Sequence, residues 1–275
     1  MKFISSCIPP EAETGPTWWF ILNGKGVLVY TGKERGEMLP RVNGLPDLSL
    51  IPLAVYYLGT LDGAGCRAAL VDDNAAAPCG MEFIPLRGFI AGNDEVLFEI
   101  ASRASTIIHW DKNSRYCGGC GSPLTMAETG RVKVCTACGL TVYPRISPAI
   151  IVAVVKDRSI LLASGGRFTH NFFSVLAGFV DPGETFEDCV RREVKEETGI
   201  DVEDIRYFGS QPWPFPDSVM VGYTARYAGG EICADGNEIK EARWFSADEL
   251  SGVEIPALKI IIARRLIDWF VENYK

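Results

Sequence analysis

Gly178-Phe179-Val180-Asp181-Pro182-Gly183-Glu184-Thr185-Phe186-Glu187-Asp188-Cys189-Val190-Arg191-Arg192-Glu193-Val194-Lys195-Glu196-Glu197-Thr198-Gly199-Ile200 is the stretch that decides how this chain folds. A Gly- and Pro-bearing loop gives way to a helical pattern from about Thr185 to Glu197, and Gly199 supplies the stop. On that helix Glu193, Glu196 and Glu197 stand at i, i+3 and i+4, so three carboxylates crowd onto one face. Like charges so placed cost a few tenths of a kcal/mol per pair in an isolated helix, and more when partly buried. Mg²⁺ or Mn²⁺ would offset the repulsion and keep an open side for phosphate oxygens. For a lone E-x-x-E-E, a solvated acidic face with Arg192 and Lys195 as partners would be the better reading. The Gly-rich loop, Glu184 at the helix entry, and Arg192 poised to pair with a carboxylate weigh against it.

Working outward, Ala149–Val155 and Ser159–Ala163 read as a hairpin around Lys156-Asp157-Arg158. Strand-like segments follow near 205–211, 219–227 and 242–245, then a last amphipathic helix from about Pro256 to Tyr274. Toward the N-terminus, residues 1–92 are short apolar runs broken by Gly, Pro and Asn, which predicts a small β-rich domain. Asn93 and Asp94 are cap residues for a helix whose apolar positions run from Val96 to Trp110, a linker with one buried face over 93–116. No internal repeat is visible.

Cys117-Gly118-Gly119-Cys120 and Cys135-Thr136-Ala137-Cys138 form two C-x-x-C knuckles with 14 residues between them, each followed by Gly. Two such turns can aim four thiolates at one tetrahedral Zn²⁺, a closed structural site with no position left for chemistry. A redox dithiol, two disulfides or simple packing are the alternatives, and a redox pair would more naturally stand alone beside a βαβ pattern. Cys7, Cys66, Cys79, Cys189 and Cys233 are scattered without a framework.

The 275 residues carry 27 Lys+Arg against 35 Asp+Glu, a net charge of −8, which argues against indiscriminate nucleic-acid binding. Handling phosphates with this charge calls for bridging cations. The most apolar stretch, Ile146–Val155, is half of the ~20 residues a membrane span needs, and no signal-peptide core follows Met1-Lys2-Phe3-Ile4. A cytoplasmic location is therefore expected.

The opening stretch matches the Nudix box, G-x5-E-x7-R-E-U-x-E-E-x-G-U, at every defined position, with Val194 and Ile200 as the aliphatic residues. The chain thus resembles a Nudix hydrolase. The resemblance implies an α+β protein whose Nudix domain, over 144–275, is an α/β/α sandwich with a mixed sheet. A four-cysteine zinc ribbon at 117–143 and the β-rich N-terminal domain precede it. It further implies that Glu193 and Glu197 ligate divalent metal, that Glu196 is a ligand or the general base, and that Arg192 pairs with Glu184. The carbonyl of Ala177 would be a further ligand and Glu238 the distal one.

Beyond the box, Ser210-Gln211-Pro212-Trp213-Pro214-Phe215-Pro216-Asp217-Ser218 reads as an extended, proline-stiffened ledge carrying two aromatics. In this place the segment resembles the mark of NADH pyrophosphatases, and Tyr143-Pro144-Arg145, the ribbon and a separate N-terminal domain agree. The resemblance is weak over the first 86 residues. It implies hydrolysis of NADH and NAD to nicotinamide mononucleotide and AMP, removal of NAD caps from RNA, and a homodimer. It also places Tyr143 and Phe179 against a base, assigns Gln211, Pro212, Trp213, Pro214, Phe215, Pro216, Asp217 and Ser218 to nucleotide selection, and puts Ala263 and Arg87 in contact with substrate. His109 and His170 are weak candidates for a base, since one lies on an apolar helix stripe and the other in a loop. Hydrolysis of ADP-ribose, ADP-sugars or dinucleoside polyphosphates is the alternative within the family, and a non-catalytic nucleotide sensor or RNA-binding module is the alternative outside it.

Overall fold

The computed structural model describes residues 1–11, 15–32, 38–92, 94–127, 131–165 and 172–274. Its contacts divide into two units, Met1–Arg145 with Pro214–Asp217, and Ile146–Trp213 with Ser218–Lys275.

The second unit is built on β11 (Ser147–Lys156), β12 (Ser159–Gly165), β13 (Leu176–Phe179), β14 (Asp201–Trp213), β15 (Ser218–Gly229) and β16 (Ile239–Ser246), with helices α3 (Phe186–Thr198) and α4 (Ile262–Tyr274). The sheet runs β14-β15-β11-β12-β16, with β13 also on β11; only β11 and β15 pair in parallel. β11 is buried on both faces, as its unbroken apolar run requires. Ile150, Val152 and Val154 meet Cys189, Val190 and Val194 of α3, while Ile151, Ala153 and Val155 meet Leu266, Ile267 and Phe270 of α4. The expected sandwich with a mixed sheet is present.

The first unit contains β1 (Phe3–Ser5), β2 (Thr17–Asn23), β3 (Gly26–Tyr30), β4 (Arg41–Val42), β5 (Pro52–Leu61), β6 (Ala64–Val71) and β7 (Met81–Ile84). Helices α1 (Leu86–Ala91) and α2 (Glu95–Asn113) follow, then the ribbon strands β8 (Leu124–Met126), β9 (Lys133–Cys135) and β10 (Thr141–Val142). Asp94 caps α2 by accepting from the Leu97 N–H at 3.0 Å, whereas Asn93 lies outside the described residues. The apolar face of α2 joins Phe20, Leu22, Val27 and Leu58 in one core.

A repeat that the sequence does not display emerges from the strand pairing. The first sheet runs β1-β5-β6-β2-β3-β7 with β4 on β2, and β2 pairs β6 in parallel. Apart from β1, this is the connectivity of the second unit, strand for strand. The units differ between the third and fourth shared strands. A single 3-10 turn, Leu45–Leu48, links β4 to β5, where α3 links β13 to β14.

The last helix begins at Ile262 and not near Pro256. The cause is a side chain distant in sequence. The buried Gln211 amide donates to the Ile260 carbonyl at 2.7 Å and accepts from the Ile262 N–H at 2.9 Å, holding 260–262 as an anchored entry to the helix.

Candidate active site

Local sequence chemistry sets α3 in place first. The Thr185 hydroxyl accepts from the Asp188 N–H at 3.1 Å, capping the helix, and Gly199 closes it with its N–H on the Lys195 carbonyl at 2.9 Å. Ahead of the cap, Glu184 receives the Arg192 fork on both oxygens, at 2.8 and 2.9 Å, and the Asp181 N–H at 3.1 Å. This bidentate pair holds the Glu184 carboxyl down to about 2. Arg192 also donates to the Phe179 carbonyl at 3.0 Å, to Glu193 at 2.9 Å and to Glu196 at 3.0 Å. One guanidinium thus ties β13, the loop and the helix together and orients two of the three clustered carboxylates.

Glu193 lies against the backbone of Gly178, so closely that a Cβ there would stand 1.9 Å from its carboxyl carbon. Any side chain at Gly178 would therefore force the Glu193 carboxyl out of its present position. Burial raises the Glu193 carboxyl, against the opposing pull of Arg192. Glu197 is more extreme. It is 7% exposed, its Oε2 is buried without a hydrogen-bond partner, and it is pushed up to about 8 by burial and then by Glu193, Glu238, Asp235 and Glu196. Such an oxygen among carboxylates suits a cation with hard oxygen preference, so the donor set fits divalent metal.

Glu238 enters from the turn before β16. Asp235 organises this turn, its carboxylate accepting from the N–H groups of Asn237, Glu238 and Ile239 at 3.3, 3.1 and 2.8 Å. Its own N–H reaches the Glu197 carbonyl at 3.3 Å. Asp235 escaped the motif reading; the signal was an Asp two residues before Asn237, an Asx-turn pattern. A cleft of about 720 Å³ brings together Glu197, Glu238, Ala177 and Trp213, with Met220 and Lys240 also on its walls.

The remaining candidates are placed as follows. Phe179 ends β13 and is 59% exposed. Pro212 and Trp213 are the last residues of β14, and buried Ser218 opens β15, so the expected ledge is the end of a hairpin. Gln211 is committed to the α4 entry described above. Ala263 lies in the first turn of α4 against the core. Tyr143 and Arg87 belong to the first unit, as do Pro214, Phe215, Pro216 and Asp217. There Tyr143 is exposed, and the Arg87 guanidinium lies 4.2 Å from the centre of the Phe215 ring. His109 bonds Asn113 one turn along α2, and His170 lies outside the described residues.

The four knuckle sulfurs lie within 4.8 Å of one another, with Cys117 and Cys138, and Cys120 and Cys135, 3.5 Å apart. A tetrahedral zinc with Zn–S of about 2.3 Å spaces its sulfurs about 3.8 Å apart, so the thiols fit that ion. Both knuckles turn through a glycine at positive φ, Gly121 and Gly139, whose N–H returns to the carbonyl of the first cysteine at 2.9 and 2.8 Å.

Residues 145–270 match the NUDIX domain family, residues 112–143 the NADH pyrophosphatase zinc ribbon domain, and residues 16–110 the NADH pyrophosphatase-like rudimentary NUDIX domain. The NAD-capped RNA hydrolase NudC of Pseudomonas fluorescens is 41% identical over 257 residues, 93% of this chain and 90% of that protein. The chain belongs to the NADH pyrophosphatase group of the Nudix family. A Pseudomonas putida protein of the same name is 40% identical over 271 residues, covering 98% of this Nudix protein and 94% of the relative. A third, from Stutzerimonas stutzeri, is 42% identical over 238 residues, 86% of this chain and 84% of the relative. The rudimentary domain coincides with the first sheet, which explains the shared connectivity. The ribbon match and the four gathered thiols support a structural zinc in this Nudix protein, and membership in the family implies a divalent metal at the carboxylates. Among the described residues, no helix is long and apolar enough to cross a membrane.

Proposed function

We propose that this protein hydrolyses the pyrophosphate bond of NADH and NAD, giving AMP and nicotinamide mononucleotide in its reduced or oxidised form respectively, and removes NAD caps from RNA 5′ ends. The observation that carries the reading is the cleft that Trp213 shares with buried Glu197 and with Glu238. An aromatic wall suits a nucleobase or nicotinamide ring, and the carboxylates suit the cations that accompany a diphosphate. The relatives named for NAD-capped RNA support the same substrate class.

Mg²⁺ or Mn²⁺ would be held by Glu193, Glu196, Glu197, Glu238 and the Ala177 carbonyl. When bound, such ions neutralise phosphate oxygens and make a water nucleophilic near neutral pH. The chain's own contribution is positioning. Arg192 holds Glu193 and Glu196 at fixed angles, Gly178 lets Glu193 settle against the β13 backbone, and Glu196, the most exposed of the three, is the candidate general base. The aromatic side chains of Tyr143, Phe179 and Trp213, together with Ala263 and Arg87, would contact substrate. The reading also includes a homodimer working in the cytoplasm.

The test is a metal-dependent assay on equal concentrations of NADH, NAD, ADP-ribose, diadenosine tetraphosphate and NAD-capped RNA, with products identified by mass. Preferential release of reduced nicotinamide mononucleotide from NADH, or of nicotinamide mononucleotide and monophosphorylated RNA from the capped substrate, is expected. Turnover confined to ADP-ribose or the dinucleoside polyphosphate would overturn the substrate class, and no turnover would overturn the enzyme.

A further inference from the structure

Glu238 is the one member of the carboxylate set that no helix or strand positions. It stands just before β16, after the exposed residues Gly236 and Asn237. A turn of this composition has many accessible conformations, so something must select the one that delivers Glu238 to the cleft. Backbone bonding contributes the Gly236 N–H on the Ile239 carbonyl at 3.0 Å. The rest comes from a single side chain. Asp235 gathers three consecutive N–H groups, those of Asn237, Glu238 and Ile239, and bonds to a charged acceptor are the stronger kind. Through its own N–H, the same residue is tied to the carbonyl of Glu197, the most buried carboxylate of the set. One residue therefore links the backbone of the innermost carboxylate to the backbone of the outlying one.

We propose that Asp235 is a positioning residue that acts through Glu238, fixing the turn 235–239 so that the Glu238 carboxylate reaches the divalent metal shared with Glu197. The inference rests on Glu238 being a metal ligand, as read above. Asp235 itself is committed to backbone donors and is not a ligand. Both of its carboxylate oxygens serve as acceptors, Oδ1 for the Asn237 and Ile239 N–H groups and Oδ2 for that of Glu238.

The experiment is a Mn²⁺ titration of the full chain without substrate, free ion being followed by electron paramagnetic resonance, on wild type, Asp235→Ala, Asp235→Asn, Glu238→Gln and the double variants. Asp235→Ala is expected to weaken Mn²⁺ binding roughly tenfold, the scale on which supporting residues tune metal sites. Asp235→Asn keeps one oxygen for the Asn237 and Ile239 N–H groups and loses the acceptor for that of Glu238, so its loss is smaller than that of Asp235→Ala. In the Glu238→Gln background, Asp235→Ala has no further effect, because the residue through which it acts is already disabled. Should Asp235→Ala fail to fold, Asp235→Asn and Asp235→Ser in both backgrounds complete the same comparison.

Equal losses in Asp235→Asn and Asp235→Ala would mean that the acceptor oxygen kept by Asn does nothing for the turn, and would overturn the proposal. So would a full additive loss in the Glu238→Gln background, or unchanged affinity in Asp235→Ala while Glu238→Gln binds weakly. Unchanged affinity in Glu238→Gln itself would overturn the ligand reading of Glu238, and the inference with it.

Discussion

Substituting Glu197 by Gln should flatten the pH dependence of the protein's stability when Mg²⁺ and Mn²⁺ are withheld. In the folded chain the Glu197 carboxyl is pushed up to about 8 by burial and by the surrounding carboxylates, against an ordinary value of 4.5. A carboxyl raised on folding is protonated in the native state where the unfolded chain has already lost that proton. Across the window from 4.5 to about 8 the native state therefore binds more protons, and unfolding free energy falls as pH rises. The slope is at most about 1.4 kcal/mol per pH unit, so the whole window is worth an upper figure of about 5 kcal/mol. Between pH 5.5 and 7.5 the loss reaches about 2.7 kcal/mol, or roughly 10 °C in Tm for a unit of this size. Gln keeps the shape of the side chain and removes the ionisation. Burial also raises Glu193, so a smaller slope persists in the variant, and the quantity to compare is the difference between the two proteins. Calorimetric scans of zinc-retaining protein at three pH values supply it, and added Mg²⁺ should restore wild-type stability at pH 7.5 far more than that of Glu197→Gln. Parallel Tm profiles for the two proteins would refute the argument that burial among carboxylates raises Glu197 on folding.

Gly178→Ala places a methyl where the Glu193 carboxyl now lies and should lower kcat/KM on NADH about 100-fold, the usual effect of an ångström-scale misplacement, while thermal melting of the metal-free protein shows a folded chain. Cys135→Ser removes one of four thiols held within 4.8 Å, so zinc measured by mass spectrometry should fall from one per chain toward zero, and the first unit should melt several °C earlier.

How much of this was legible in the sequence depends on the range of the interaction. The box helix was legible because its signals are local: a hydroxyl cap at Thr185, carboxylates at helical spacing, and Gly199 as a stop all act within one or two turns. The ribbon was legible for a similar reason, since two knuckles repeat one short turn. The start of α4 was not, because the donor and acceptor that anchor it belong to Gln211, about 50 residues upstream, and Pro256 offers the commoner local signal. Gln211 shows the same limit in function. A motif assigns it to the nucleotide loop, whereas its amide is spent on backbone at 260 and 262. Asp235 was overlooked because an exposed Asp near Gly and Asn is what any turn contains, and only the tertiary approach of Glu197 gives it importance.

The duplicated connectivity shows why a sheet alone would have said little about function. In both units a central strand buried on both faces pairs in parallel with one neighbour and antiparallel with two, which apolar alternation and hydrogen bonding can satisfy with unrelated sequences. On one face each sheet is covered by a C-terminal helix, α2 or α4. On the other face the units part. In the first, Leu45 and Leu50 from a short connection pack on Trp19, Ile21 and Leu28. In the second, α3 does that packing with Cys189, Val190 and Val194, and the same helix also carries Glu193, Glu196 and Glu197, with Glu197 buried beside that core. A connection that only covers a core needs a few apolar residues. One that also holds charge needs a full helix, an arginine to orient the acids and a glycine to admit them, and those added requirements are what made the second unit recognisable.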